Sequence, residues 1–350
     1  MATTSSDARL VRLDLDDARW RDFVEGAPGA LPFHRPSWPL FLAECYGFPA
    51  FALALAHDDG RIDAGVPVLE VHRPFAGRRW VCLPFTDVCQ PLGGDDSIAR
   101  LVTAANAERS RTGVKELEVR AAVEAPGFVT SEVATRHVLR LGDDPDEMFR
   151  GFRSSTRQGI RAAERESVRV ETATSREGLT EVFYDLHAAT RRRLGVPVQG
   201  RRFFELLWDR VLEPGGGSVL VASVGNEPIA AAVFLAAGDT VIYKFGASDA
   251  DAWRLRPNNA LFWTAIRDAC ADGRRYLDFG RSDHESEGLR RFKSSWGAEE
   301  LPLVYSSTRP TAVAHTGPPG RLGRAASFVI RRSPRVVCRV IGRAFYRYAA

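Results

Sequence analysis

One order of apolar patterns is written twice along this chain, and that repetition constrains the fold more than any single motif. In the first part, apolar alternation and short apolar runs predict strands at about 10–14, 50–56, 64–71, 79–84, 115–120 and 136–141. Helical spacing falls between them, at about 16–25, 37–46 and 97–111. Trp38, Phe41, Leu42 and Cys45 lie at i, i+3, i+4 and i+7, on one face of such a helix. Gly142-Asp143-Asp144-Pro145 breaks the pattern, and a long polar helix is predicted from Pro145 to about Ser167. The order then returns: a strand at 168–172, helices at 176–193 and 201–212, strands at 218–224, 228–237 and 240–247, a helix from Pro257 to about Asp272, and a strand at 276–279. Val224-Gly225-Asn226-Glu227-Pro228 predicts a tight hairpin. Both parts therefore read as mixed α/β, with a largely antiparallel meander followed by a helix and one more strand. The expected domains are 1–141 and 142–306, followed by a Ser/Thr/Pro/Gly linker at 307–320 and a basic amphipathic helical tail at 321–350.

The chain has 350 residues, more than one hydrophobic core usually serves, which agrees with two domains. Met1–Arg9 is polar without an apolar stretch, and no apolar run approaches bilayer-spanning length, so a cytoplasmic protein is expected. The five cysteines show no CxxC or CxxH spacing, and the seven histidines show no ligand spacing, so neither a disulfide framework nor a metal site is expected. Only Lys115, Lys244 and Lys293 among 48 basic residues are lysines. Each draws interest, because arginine does not reproduce a compact ammonium.

No GxSxG elbow, HExxH helix, P-loop or GxGxxG turn is present, which lowers the standing of serine hydrolases, zinc proteases, NTPases and dinucleotide enzymes. Gly215-Gly216-Gly217 precedes a strand rather than a helix and reads as a loop, not a phosphate cradle. The informative stretch is Val241 to Glu299: YKFGAS, then RPNNALFW opening a helix, then GRRYLDFGRS, then LRRFKSSWGAE. Upstream stand FHRPSWPLFL, GVPVLEVHRPFAGRRWVCLPFTDVCQPL and FRSSTRQGIRAAERESVRVE.

In this order these segments resemble the FemAB and FemX peptidyltransferases and their FemAB-like relatives, over about 33–305. The resemblance implies two acetyltransferase-like (GNAT) domains with a cleft. It also implies transfer of an aminoacyl group from aminoacyl-tRNA to an amine, in the best-known members on a cell-wall precursor and in relatives on exopolysaccharide or natural-product acceptors. The coiled-coil arm of some members is absent, since no heptad run interrupts the second half. Acetyltransferases hold coenzyme A pyrophosphate on amides of a Q/R-x-x-G-x-G/A loop at a helix N-terminus. Here Arg254 to Asn259 holds no glycine and includes Pro257, so coenzyme A binding in that manner is not expected. No cofactor is expected, the donor ester being already activated. An acyl-coenzyme A or acyl-carrier-protein dependent N-acyltransferase is the first alternative, and a non-catalytic scaffold of an envelope polysaccharide system the second.

The resemblance also nominates residues. Lys293, after Phe292 in the F-K-x-x-[FW]-G motif, is expected to stabilise the developing oxyanion or grip a phosphate. Asp87 in LPFTD is expected to orient or deprotonate the attacking amine. Arg193, closing T-x-x-R from Thr190, matches a phosphate contact of the acceptor, and Tyr243 a residue lining the cleft. Lys244 beside it, Phe292 and Arg281 complete the expected substrate-binding set, with Asp278 and Arg281 as a potential ion pair. In the tail, Arg331, Arg335, Arg339, Arg343 and Arg347 recur every four residues. That stripe suits an anionic membrane face beside a lipid-linked acceptor, the tRNA backbone, or packing on the protein with a solvated basic side. The oligomeric state stays open.

Overall fold

The structure is a computed structural model that describes residues 8–73, 77–309 and 330–332. The predicted linker beyond Arg309 and the basic tail, apart from Ile330–Arg332, lie outside the described residues. Within them the chain forms two compact units. The first holds residues up to Ala134 together with the segment from Pro302, and the second runs from Thr135 to Leu301. The expected boundary lay at 141/142, and the return of a late segment to the first unit was not foreseen.

In the first unit, β1 (Arg9–Leu13) leads to α1 (Ala18–Gly26) and α2 (Ser37–Tyr46). A meander follows, made of β2 (Ala50–Ala56), β3 (Ile62–Arg73) and β4 (Gly77–Val81), with the short β5 (Leu92–Gly93) on β3. Then come α3 (Asp95–Arg111), β6 (Glu116–Val119) and the start of β7 (Val129–Arg140). The strands lie in the order β1-β2-β3-β4-β6. All neighbours are antiparallel except β4 and β6, whose Arg79 to Val81 pair in parallel with Glu116 to Glu118. A parallel return needs a crossover, and α3 supplies it. Trp20, Val24, Ala52, Ala54 and Leu92 form the core on one side of this sheet.

In the second unit, α4 (Pro145–Gly151) and α5 (Ser154–Arg165) precede β8 (Arg169–Thr172). A π-helical turn at Gly178–Phe183 runs into α6 (Tyr184–Leu194), and α7 (Arg201–Leu207) into a second at Trp208–Gly216. The meander is β9 (Gly217–Val224), β10 (Glu227–Ala237) and β11 (Thr240–Ser248). It is followed by α8 (Pro257–Ala271), β12 (Tyr276–Ser282), α9 (Glu287–Ser294) and β13 (Glu299–Ser307). The order β8-β9-β10-β11-β12 repeats that of the first unit, again with only the last pair parallel. The predicted α/β class and the duplicated, largely antiparallel architecture are what the structure has.

Three local predictions need correction. The long helix expected at 145–167 breaks at Phe152, which is extended (φ −68°, ψ 153°). Its ring turns inward against Phe149, Trp263 and Trp296, and the next amide, of Arg153, donates to the Ser295 carbonyl. Pro145 does open that helix, capped by the Asp144 carboxylate on the Asp146 amide. Residue 307, expected in the linker, belongs to β13, where Ser307 pairs with Glu118 of β6. The triple glycine is the exit of a helix. Gly215 has φ +88°, and a β-carbon on Gly217 would lie 2.1 Å from the Phe234 carbonyl oxygen, so backbone proximity explains the run.

Candidate functional site

The feature that opens the second unit is a parting of its two parallel strands. β11 and β12 pair only from Thr240/Tyr276 to Ile242/Asp278. Beyond that point β11 stays on β10 as far as Ser248, while β12 shifts register and follows β7, with Arg281 opposite Arg136. Four successive residues of β11, Tyr243 to Gly246, are consequently half-buried within the sheet rather than alternating. Lys244 is an inserted residue: Val233 faces Phe245 and Phe234 faces Tyr243, so the strand bulges there.

Tyr243 lies on this opening. Its ring meets Phe262 of α8 at 4.8 Å and Phe234 at 5.7 Å, and packing around it pushes the phenol up to about 12, keeping it a neutral donor. A β-carbon on Gly246 would lie 1.7 Å from the Tyr243 hydroxyl oxygen, so the glycine makes room for the phenol. Lys244 places its ammonium 5.7 Å from the Phe245 ring.

At the far end of β11, the T-x-x-R residues of α6 converge on one peptide unit. The Thr190 hydroxyl donates to the Ser248 carbonyl at 3.2 Å and accepts from the Ser248 amide at 3.2 Å. Arg193 donates to the same carbonyl at 3.2 Å and stacks 4.7 Å from the Trp253 ring, whose indole N–H donates to the Ser248 hydroxyl at 2.9 Å. A cavity of about 470 Å³ lies beside them, lined by Leu186, Ala189, Arg193, Pro228, Asp249 and Asp251 among others. Trp253 was not singled out from the sequence; an aromatic four residues ahead of the α8 start at Pro257 carries no signal of its own.

The start of α8 is where a phosphate would sit on main-chain donors. Arg256 adopts the left-handed conformation (φ +57°), Pro257 brings no N–H, and the Asn259 amide already donates to the Arg256 carbonyl at 3.0 Å. The Asn259 side chain packs on α5, where a β-carbon on Gly159 would meet it at 2.7 Å. The missing glycines therefore correspond to a turn with few open donors.

At the end of β12, Asp278 is buried, accepts from the Gly280 amide at 2.7 Å, and lies 3.5 Å from Arg136. Arg281 pairs with Asp283 at 2.9 Å. Lys293, on α9, reaches back to the same strand. It is 2% exposed, and its ammonium donates to the carbonyls of Gly280 at 2.8 Å and Arg281 at 2.9 Å. These charge-assisted bonds to main-chain carbonyls tie Lys293 to the end of β12. Phe292, half-buried, packs against Phe262 at 5.7 Å and Trp296 at 6.1 Å at the margin of the core. His137 of β7, wholly buried and unnoticed in the sequence, is held below its usual range by burial and by the Lys293 ammonium; Glu300 lies 3.4 Å from it.

Asp87 belongs to the first unit, in the turn after β4. Leu83 and Phe85 there are both left-handed (φ +62° and +60°), a conformation costly for bulky residues. Trp38 donates to the Thr86 hydroxyl at 2.9 Å, Arg120 donates to the Thr86 carbonyl, and the Tyr305 hydroxyl donates to the Asp87 carbonyl at 2.9 Å. The LPFTD segment is thus locked by its main chain and by Thr86, and the Asp87 side chain keeps partial exposure. Among the described residues no cluster of His, Cys, Asp or Glu is arranged to hold a metal, and no helix is long and apolar enough to cross a membrane.

Residues 150–294 match the family model described as acetyltransferase (GNAT) domain. The chain is similar in fold to the crystal structure of FemX, with a TM-score of 0.68, 16% identity, and coverage of 85% of this chain and 96% of that one. It is also similar to L-PGS from Bacillus licheniformis (TM-score 0.55, 13% identity, 95% and 98% covered). A third similar structure is the C-terminal domain of a putative lysylphosphatidylglycerol synthetase from Agrobacterium fabrum (TM-score 0.54, 13% identity, 89% and 95% covered). No curated protein matches the sequence. The chain is an acetyltransferase-fold protein. That fold, which the resemblance of the segments above implies, is shared with FemX.

Proposed function

We propose that this protein is an acyltransferase that moves an aminoacyl group from aminoacyl-tRNA onto the amine of an envelope or natural-product acceptor. The observation that carries the reading is the parting of β11 and β12 beside an α8 whose first turn holds a proline, a left-handed arginine and an already bonded amide. Such an opening accepts an extended acyl chain between strand edges, while the altered turn is poorly suited to a pyrophosphate. An ester on tRNA needs no pyrophosphate grip. The fold shared with FemX and with proteins named for lysylphosphatidylglycerol supports an aminoacyl donor and leaves a lipid-linked acceptor open.

In this reading the acceptor amine, once deprotonated, attacks the ester carbonyl. A tetrahedral oxyanion forms and collapses to the amide, and the tRNA 3′-terminal hydroxyl leaves with a proton. Tyr243 donates to the developing charge, since its raised phenol stays protonated at neutral pH. Lys293 is a positioning residue that fixes the Gly280–Arg281 strand end. Arg193, on Trp253, offers a guanidinium at the cavity for a phosphate of the acceptor, and Asp87 orients the amine by the family resemblance. The protein would work in the cytoplasm.

The test is incubation with charged tRNA and a nucleotide-linked or lipid-linked amine, with product followed by mass spectrometry. The reading requires product that disappears on RNase pretreatment. The acetyltransferase match of residues 150–294 favours the alternative of an acyl-coenzyme A donor. Product insensitive to RNase, with acetyl-coenzyme A raising the melting temperature, would establish that alternative.

A further inference from the structure

The two units differ in what lies beside the helix on their sheet. In the second unit, α5 lies against α8, Gly159 meeting Asn259, and its Ile160 joins the core of Leu220 and Ala222. In the first unit α3 holds the equivalent place in the chain order, yet among the described residues no helix packs on it as α5 packs on α8. Instead there is a crevice of about 580 Å³, within the range of small-molecule sites. Its floor is apolar: Leu10 of β1, Leu53 of β2 and Trp80 of β4, the last two buried. Its wall is α3, which offers Ala104 and Ala107 where larger side chains would have closed the space.

The polar groups at this crevice are nearly all satisfied internally. The Trp80 indole donates to Glu70 at 2.9 Å. Glu108, the carboxylate at the rim, is neutralised by Arg111 through two bonds of 2.7 and 2.8 Å. Arg12 is the exception. Its guanidinium carbon lies over the Phe51 ring, 3.6 Å from the centre, and no carboxylate among the described residues pairs with it. A stacked guanidinium keeps its edge donors available in a fixed plane, a geometry suited to carboxylate or phosphate oxygens.

We propose that this crevice binds a single-chain anionic amphiphile, its apolar part on Leu10, Leu53, Trp80 and the two alanines and its carboxylate or phosphate head on Arg12. Nothing in the proposal depends on the donor used in catalysis. Calorimetric titration of the full chain with dodecyl phosphate, below its micelle concentration, tests it, with inorganic phosphate and dodecyltrimethylammonium as comparison arms. One saturable site is expected for dodecyl phosphate, and none for the other two. Ala107→Trp, at an exposed helix position, fills the crevice and should weaken binding at least tenfold. Arg12→Gln, a surface change that leaves the fold intact, should weaken it at least fivefold. Absence of saturable binding, equal binding of the cationic amphiphile, or unchanged affinity in either variant would each overturn the proposal.

Discussion

Replacing Lys293 by methionine keeps an unbranched apolar stem one atom shorter and removes the ammonium. Two carbonyl oxygens, of Gly280 and Arg281, then lose donors at 2.8 and 2.9 Å in a place where the side chain is 2% exposed. Bonds from a charged donor contribute about 1.5–3 kcal/mol each, so the two together represent about 3–6 kcal/mol. The methionine regains about 1–2 kcal/mol by burying an apolar terminus where a charge had been desolvated. The expected net loss is about 2–4 kcal/mol. Urea unfolding followed by tryptophan fluorescence reads it as a lower midpoint at unchanged slope. If transfer activity is measured alongside, a positioning role predicts that activity falls together with the order of the strand end. A variant as stable as the parent, within about 0.5 kcal/mol, would refute the argument that the ammonium holds these carbonyls. Equal stability with activity abolished would return Lys293 to the chemistry.

Other expectations follow from the same geometry. His34 accepts from the Leu31 amide at 2.9 Å and bonds the Gln90 carbonyl at 2.8 Å, while His187 stacks on Phe183 and bonds Gln199; burial holds both imidazoles down at about 4. The unfolded chain takes these protons first, so stability is full above about pH 6.5 and falls toward pH 4, by about 3 kcal/mol per histidine; urea midpoints that do not move between pH 7.5 and 4.5 would contradict this. Arg79, buried between Glu116 and Glu118 at 2.9 and 3.1 Å, should cost about 3–5 kcal/mol when replaced by Met, whereas Arg111→Met in the exposed pair with Glu108 should leave the thermal midpoint unchanged. Gly246→Ala should displace the Tyr243 ring at a cost of about 1–3 kcal/mol and lower activity, and adding Tyr243→Ala should recover stability but not activity.

Much of the fold was legible because its signals are local. The hairpin at Gly225-Asn226, the Pro145 helix start and the strand meanders each rest on a turn residue or on periodicity, and Val224 does face Glu227. The break at Phe152 was not legible, because a long helical pattern cannot show that one aromatic is needed elsewhere by Trp263 and Trp296. β13 was missed for a related reason: EELPLVYSS alternates weakly and contains a proline, and its pairing with neighbouring strands makes it a strand. Among the site residues, Thr190, Arg193 and Tyr243 could be nominated by motif. The burial of Lys293 could not, since a lysine three residues before a tryptophan reads as surface until the carbonyls it meets are known.

The return of β13 to the first unit has a consequence for how the protein is made. Ser306 and Ser307 complete the edge of β6, yet the ribosome adds them some 190 residues after Val119 and Glu118. The amino-terminal sheet must therefore wait, with one margin unclosed, until residues 306 and 307 have emerged. A fragment ending near residue 141 would carry that raw margin permanently, and self-association is the fate such a fragment should meet.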